Sequence, residues 1–127
     1  MKLFLDDERM PYDVFRYLRN KHYEENNWEI VKDYDQFIGF ISSNELPTII
    51  SFDHDLHNEH YVYAVASFIP YDLFENKTGY HCLSWLLEYC DKNNLQYPEI
   101  LIHTMNITGS KNMRKLLDTY SAQKEAK

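Results

Sequence analysis

The sequence predicts an α/β domain built on an open, doubly wound parallel sheet of about four strands in the order 2-1-3-4. Three observations lead there. Short apolar runs alternate four times with stretches of helical periodicity, and strands separated by helices form parallel sheets with right-handed crossovers. One run, Thr48-Ile49-Ile50-Ser51-Phe52, is nearly continuous, as a central strand buried on both faces requires. Another, Trp28-Glu29-Ile30-Val31, alternates and so belongs nearer an edge. A chain of 127 residues makes one domain with a sizeable core.

Lys2 to Leu5 is the first strand, stopped by Asp6-Asp7. Pro11 suits a first helical turn, and Val14, Phe15 and Leu18 recur at helical spacing, with an end expected near Lys21. After the Trp28–Val31 strand, Asp33 and Gln36 make a capping-box pattern ahead of the stripe Tyr34, Phe37, Ile38 and Ile41. The third strand, Thr48–Phe52, ends in Asp53-His54-Asp55. Residues 57–77 read as an insertion with a short helix or strand, a candidate lid. Thr78 can cap a third helix that carries Tyr80, Leu83, Leu86, Leu87 and Cys90 on one side. Glu99–His103 is the fourth strand. A loop from Thr104 to Gly109 then leads to a last helix with Met113, Leu116, Leu117 and Tyr120. The domain is expected to span residues 1–120, with 121–127 a frayed tail.

Composition narrows the function. Thirteen basic and twenty acidic side chains give a net charge of −7. That disfavours a broad basic face for nucleic acid but leaves room for a small site that handles one phosphate through a metal ion. With only three glycines, no glycine-rich phosphate loop is present. No apolar stretch reaches the roughly 18 residues of a membrane span. A start that meets two acids at once reads as a mature cytoplasmic one rather than a signal peptide. Cys82 and Cys90 lie eight apart on one helix, about 12 Å, too far for a disulfide, so both are packing thiols and a reducing compartment fits.

In open α/β sheets ligands bind beyond the carboxyl ends of strands, where the strand order reverses. Here that point lies between strands 1 and 3, which brings Asp6-Asp7 beside Asp53-His54-Asp55. Crowded carboxylates repel one another, and a hard cation such as Mg²⁺ or Mn²⁺ removes that cost. Two or three of Asp6, Asp7, Asp53 and Asp55 are therefore candidate metal ligands; turn and capping roles are the plainer alternative. Arg9 is placed to take a phosphate oxygen or to pair with a neighbouring acid. His54 and His103 end adjacent strands and are candidates for an acid–base pair, ligands of a softer metal, or structural histidines. Thr104 and Asn106 are neutral hydrogen-bonders at the rim, and the amides at Gly109-Ser110 open a helix able to accept an anion. Thr78-Gly79 opens the third helix in the same way. His57, His60 and His81 match no zinc spacing and read as loop residues. Trp85, Leu86 and Leu87 are core.

The acid pair after strand 1 and the aspartate after strand 3 resemble a receiver domain, the phosphoacceptor module of two-component signalling. That resemblance implies Asp6 and Asp7 as metal acids, Asp53 as phosphoacceptor and Thr104 as the hydroxyl residue after strand 4. It stops at the fifth strand and its lysine, which have no counterpart here. A second resemblance covers almost the whole chain. Leu5-Asp6-Asp7-Glu8-Arg9-Met10-Pro11 resembles an LDDxRxP opening, and Ser51-Phe52-Asp53-His54-Asp55-Leu56 an SxDHDL motif. Thr78-Gly79-Tyr80 with Trp85-Leu86 resembles TGxxxxxWL, and His103-Thr104-Met105-Asn106 with Gly109 and Met113 resembles HSxNxxGxxxM. Together these are similar to the cyclic-phosphate-processing receiver-like family. Thr104 stands where serine is usual, and His57 where a glycine often follows DHDL.

This resemblance implies metal-assisted phosphoester hydrolysis, with 2′,3′-cyclic phosphate ends of RNA or nucleotides as the substrate class. In that reading Asp6, Asp7 and Asp53 hold the metal, and Asp55 stands in or next to the metal's ligand shell. His54 and His103 exchange protons, while Arg9, Thr104, Asn106 and Gly109 hold the phosphate. Attack by water and direct attack by Asp53 both remain open. A non-catalytic module that binds a cyclic phosphate, nucleotide or protein is the alternative. A third reading is a small interaction protein, with Tyr61, Tyr63, Phe68, Tyr71 and Phe74 as partner surface.

Overall fold

The computed structural model describes residues 1–63 and 66–126. Residues 64 and 65, inside the expected insertion, and 127, in the expected tail, lie outside the described residues. The elements are β1 (Lys2–Leu5), α1 (Pro11–Leu18), β2 (Trp28–Val31), α2 (Tyr34–Ser43), β3 (Ile49–Phe52), the one-turn α3 (Asn58–Tyr61), α4 (Gly79–Lys92), β4 (Glu99–Ile102) and α5 (Ile107–Glu125). The strands form one all-parallel sheet in the expected order β2-β1-β3-β4. Its register is flush. Leu5 lies level with Val31 and Phe52, and Phe52 with Ile102.

Alternation along each strand sorts side chains to two faces. Leu3, Leu5, Ile50, Phe52 and Ile102 meet Phe37 and Ile41 of α2, Leu83, Leu86 and Leu87 of α4, and Met113 of α5. On the other face Phe4 packs with Val14 of α1 and with Tyr23, and Phe15, Trp28, Ile30 and Leu101 close around them. One face thus carries α1 and the other carries α2, α4 and α5. Cys82 and Cys90 are free and buried in the larger cluster. Among the described residues no helix is long and apolar enough to cross a membrane.

Local chemistry moves several expected boundaries. The first helix ends at Leu18, not near Lys21, because Arg19 turns left-handed (φ 55°) and the Asn20 side chain accepts from the His22 amide, starting a 3-10 turn over Lys21–Tyr23. Asp33 caps α2 by accepting from the Gln36 amide at 2.8 Å, while Gln36 Oε1 accepts from Lys32 N at 3.0 Å. The last helix begins two residues before Gly109, because Asn106 supplies the cap. It runs on to Glu125, into the stretch expected to fray. There Lys124 Nζ donates to the Leu95 carbonyl at 2.9 Å and stands over the Tyr97 ring.

The insertion holds α3 and a 3-10 turn at Tyr71–Leu73. His60 ties it down. Its Nδ1 accepts from the Leu56 and His57 amides and its Nε2 donates to the Asn76 carbonyl at 2.7 Å. His57 is extended (φ −147°), so that position needs no glycine. Tyr63, Tyr71 and Phe74 pack inward against one another, His60 and Tyr80. Of the five aromatics expected to form a partner surface, Tyr61 and Phe68 are the exposed ones.

Candidate functional site

Asp6, Asp53 and His103 are the residues immediately after β1, β3 and β4. Each is still tethered to the sheet. Asp6 N donates to Val31 O, Asp53 N to Leu5 O and His103 N to Phe52 O, at 2.9–3.1 Å. Strand alternation puts all three on the Phe4 face, level with one another. One ligand atom from each lies within 4.8 Å of the others, and all three residues are buried.

Arg9 ties the two acids together. Its Nε donates to Asp6 Oδ2 at 2.9 Å and its Nη2 lies 3.1 Å from Asp53 Oδ1. Its Nη1 donates to the Tyr17 hydroxyl at 2.5 Å, and that hydroxyl donates to the His103 carbonyl at 2.9 Å. Asp6 also accepts from the backbone amides of Glu8 and Arg9 at 2.9 Å and from His103 Nε2 at 3.0 Å. Of the two expected readings of Arg9, the pairing one describes its contacts.

The environments split the two carboxyls. Burial works against the Asp6 anion, but the hydrogen bonds from His103, Arg9 and Glu8 outweigh it and hold Asp6 below its usual range. Asp53 goes the other way. Burial, then the Asp6 charge beside it, push its carboxyl up to about 7, against the pull of Arg9, the His54 amide and the Thr104 hydroxyl. Burial pushes the His103 imidazole down, against the pull of its hydrogen bond to Asp6. Asp7 is half-buried and stands apart from the three-residue group. Tyr61 of the insertion donates to its Oδ1 at 3.0 Å, yet burial still raises it.

His54 and His103 do not share a pocket. His54 follows Asp53 by one residue, so alternation turns it to the opposite face. There Nδ1 lies 2.7 Å from Asp55 Oδ1 and Nε2 is 2.9 Å from the Tyr71 hydroxyl, which accepts from Asn112 Nδ2 at 3.0 Å. Asn106 Nδ2 donates to both Asp55 oxygens, and its Oδ1 accepts from Gly109 N at 2.9 Å. Asp55, His54 and Asn106 are all buried, with Asp55 bonded to both His54 and Asn106. Tyr71 also lines a cleft of about 420 Å³ with Phe68, Tyr80, Asn112 and Lys115.

This network revises the expected roles of four residues. Asp55 and His54 belong to a separate buried pair. Asn106 is a helix cap, and the Gly109 amide is spent on that cap rather than open to an anion. Thr104 Oγ1 accepts from Asn106 N at 3.1 Å, which fixes the loop between His103 and the cap. His81 caps α4, its Nδ1 accepting from Thr78 N at 2.9 Å.

Several residues of the site are not assigned to it by the sequence, where Tyr61 and Tyr71 read as partner surface and Ser51 stands only within the SxDHDL motif. Tyr17, Tyr61, Tyr71 and Asn112 reach it only through tertiary contacts. Tyr23 and Ser51 extend it inward, since Ser51 Oγ lies 2.6 Å from His103 Nδ1 and 2.6 Å from the Tyr23 hydroxyl. Ser51 did have a readable signal. It is the polar residue within an apolar central strand, two positions before Asp53 and therefore on the same face.

A family model described as Cyclic-phosphate processing Receiver domain matches residues 1–119 of the chain. No curated protein and no solved structure matches it.

Proposed function

The chain belongs to the cyclic-phosphate processing receiver family, and from that premise we propose that it is a metal-dependent phosphoesterase. Its substrate class is a 2′,3′-cyclic phosphate on a nucleotide or RNA end. The observation that carries the reading is the buried acid pair Asp6 and Asp53, bridged by one positive group, Arg9. The spacing suits a single cation, and two carboxylates with an imidazole beyond them make a donor set in which a hard cation chooses the oxygens. Asp6 and Asp53 would hold Mg²⁺ or Mn²⁺, with Asp7 at the rim. When bound, the ion supplies charge to a phosphoryl oxygen and acidifies a water.

The chain's own residues do the rest. Asp53, ionised beside the cation, would offer a carboxylate oxygen to take a proton from an attacking water. Direct attack by Asp53 on phosphorus uses the same ionised oxygen. Arg9, with the charge between the acids supplied by the ion, is within reach to turn its planar fork to a phosphate. Asp6, already anionic, holds the Arg9 backbone in place. The buried thiols Cys82 and Cys90 suit a reducing, cytoplasmic compartment.

The test is incubation with 2′,3′-cyclic nucleotides and short RNAs ending in that group, with Mg²⁺ or Mn²⁺. EDTA and Asp53→Asn are the controls. Ring opening lost in both controls supports the reading. The closed His54–Asp55–Asn106 network favours a second reading, a non-catalytic module that binds a cyclic phosphate, because among the described residues it leaves no second free acid–base group beside Asp53. Saturable binding with the ligand recovered unchanged would decide for that reading.

A further inference from the structure

We propose that Ser51, backed by Tyr23, is a positioning residue for the acidic crevice. It fixes the proton of His103 on Nε2, which makes His103 a standing donor to Asp6 and keeps it from ligating a cation. The second half rests on the proposed cation site; the first does not.

Four buried side chains form one line. The Tyr23 hydroxyl is 2.6 Å from Ser51 Oγ, Ser51 Oγ is 2.6 Å from His103 Nδ1, and His103 Nε2 is 3.0 Å from Asp6 Oδ2. None of the four is more than 1% exposed, so bulk water replaces no missing partner. Asp6 Oδ1 accepts from the Glu8 and Arg9 amides and Oδ2 from Arg9 Nε, so both oxygens are acceptors and Nε2 must carry a hydrogen. Nδ1 is then the acceptor, filled by the Ser51 hydroxyl, and the Ser51 oxygen accepts from Tyr23. Every proton in the line has an acceptor.

Reversing the line fails at its far end. A cation on Nε2 needs that nitrogen bare, which puts the ring hydrogen on Nδ1, turns the Ser51 hydroxyl toward Tyr23, and leaves the Tyr23 hydrogen with no acceptor among the described residues. That hydrogen would sit buried in the Phe4, Val14 and Trp28 cluster. An imidazolium fails in the same way. The ring cannot turn over to escape, because Phe4 stacks flat on it at 4.5 Å with the planes 5° apart. Burial also pushes the Tyr23 hydroxyl up to about 12, so it stays a donor. The cation is thereby left with carboxylate oxygens, which selects Mg²⁺ or Mn²⁺ over a softer ion.

The tautomer is measurable on the full chain by NMR of protein labelled with ¹⁵N at histidine. His103 is expected as neutral Nε2–H, unchanged in Tyr23→Phe, where Ser51 still has only Nδ1 to donate to. Ser51→Ala is expected to give a mixture of tautomers, and Ser51→Thr to restore the single form. Nδ1–H or imidazolium in the wild type, or a switched tautomer in Tyr23→Phe, overturns the proposal even if Ser51→Ala does not fold. With Mn²⁺ as probe, pulsed EPR is expected to show no bound imidazole nitrogen in the wild type and a directly bound one in Ser51→Ala. A directly coordinated nitrogen in the wild type overturns the second half. No Mn²⁺ binding at all overturns the cation site and with it the second half, and leaves the NMR result to decide the first.

Discussion

Gly79 lies against the carbonyl of Asp53. A Cβ on Gly79 would stand 1.7 Å from that oxygen, and the Gly79 amide donates to the neighbouring His54 carbonyl at 2.8 Å. The start of α4 therefore touches the end of β3 with only a hydrogen between them. The requirement is space, since no glycine here has a positive φ. Gly109 makes a softer version of the same contact, its Cβ position 2.6 Å from the His54 ring.

Gly79→Ala is expected to lower unfolding free energy by roughly 3 kcal/mol, because backbone must move. Gly109→Ala should cost less, because a side chain can yield. Urea unfolding of the two variants measures this order, and a Gly79→Ala protein as stable as wild type would contradict the contact.

Stability should fall as Asp53 ionises. Its folded value of about 7 lies above its usual 3.8. A raised acid stabilises the fold below about pH 4, and that contribution is lost as pH climbs through 7, by roughly 4 kcal/mol at most. Melting temperature measured from pH 5 to 8.5 should decline, and Asp53→Asn should flatten the decline and be the more stable protein at pH 8. The same variant should be inactive in the cyclic-phosphate assay.

The acid limb has a different origin. Burial, then Lys77, push the His81 imidazole down to about 4, and burial lowers His60 as well. A depressed histidine stabilises the fold above about pH 6.5 and loses that contribution as pH falls toward 4. His81→Gln places a glutamine three residues after Thr78, the pattern of a capping box. It is expected to hold stability at pH 7 within about 1 kcal/mol and to reduce the loss on acidification. Thermal melts at pH 7 and pH 5 check both halves.

Arg9→Ala strips the cation from two buried carboxylates. The fold should lose about 1–3 kcal/mol, more at pH 8 than at pH 5, because Asp53 can protonate at the lower pH. Arg9→Lys restores charge without the planar fork, so it should recover stability better than turnover. Calorimetry at the two pH values, set beside kcat/KM, separates the two contributions.

Strand order, strand residues and the three residues at the strand ends were legible because parallel strands separated by helices leave few topologies. The partition of the site was harder. Asp53 and His54 are adjacent in sequence and point to opposite faces. Alternation alone separates them, yet matched strand ends drew His54 and His103 together. Asn106 and Gly109 looked like phosphate contacts because a helix start suits an anion. What fixes them is a cap within four residues and the ring of His54, 55 positions away in the chain. Tyr17, Tyr61 and Tyr71 had no signal, since nothing in a tyrosine's sequence neighbourhood tells which acid or ring it meets.

Because the strands are only four residues long and flush, β3 reads as two interleaved lines. Ile50, Phe52 and His54 serve one face, and Ser51 and Asp53 the other. Substitutions edit one line at a time. An insertion or deletion of a single residue in β3 exchanges the lines, sending Phe52 toward Tyr23 and His103 and a hydroxyl into the apolar layer. Length variation in a set of natural sequences should therefore fall outside these four residues, in segments such as 57–77, even where side-chain identity drifts.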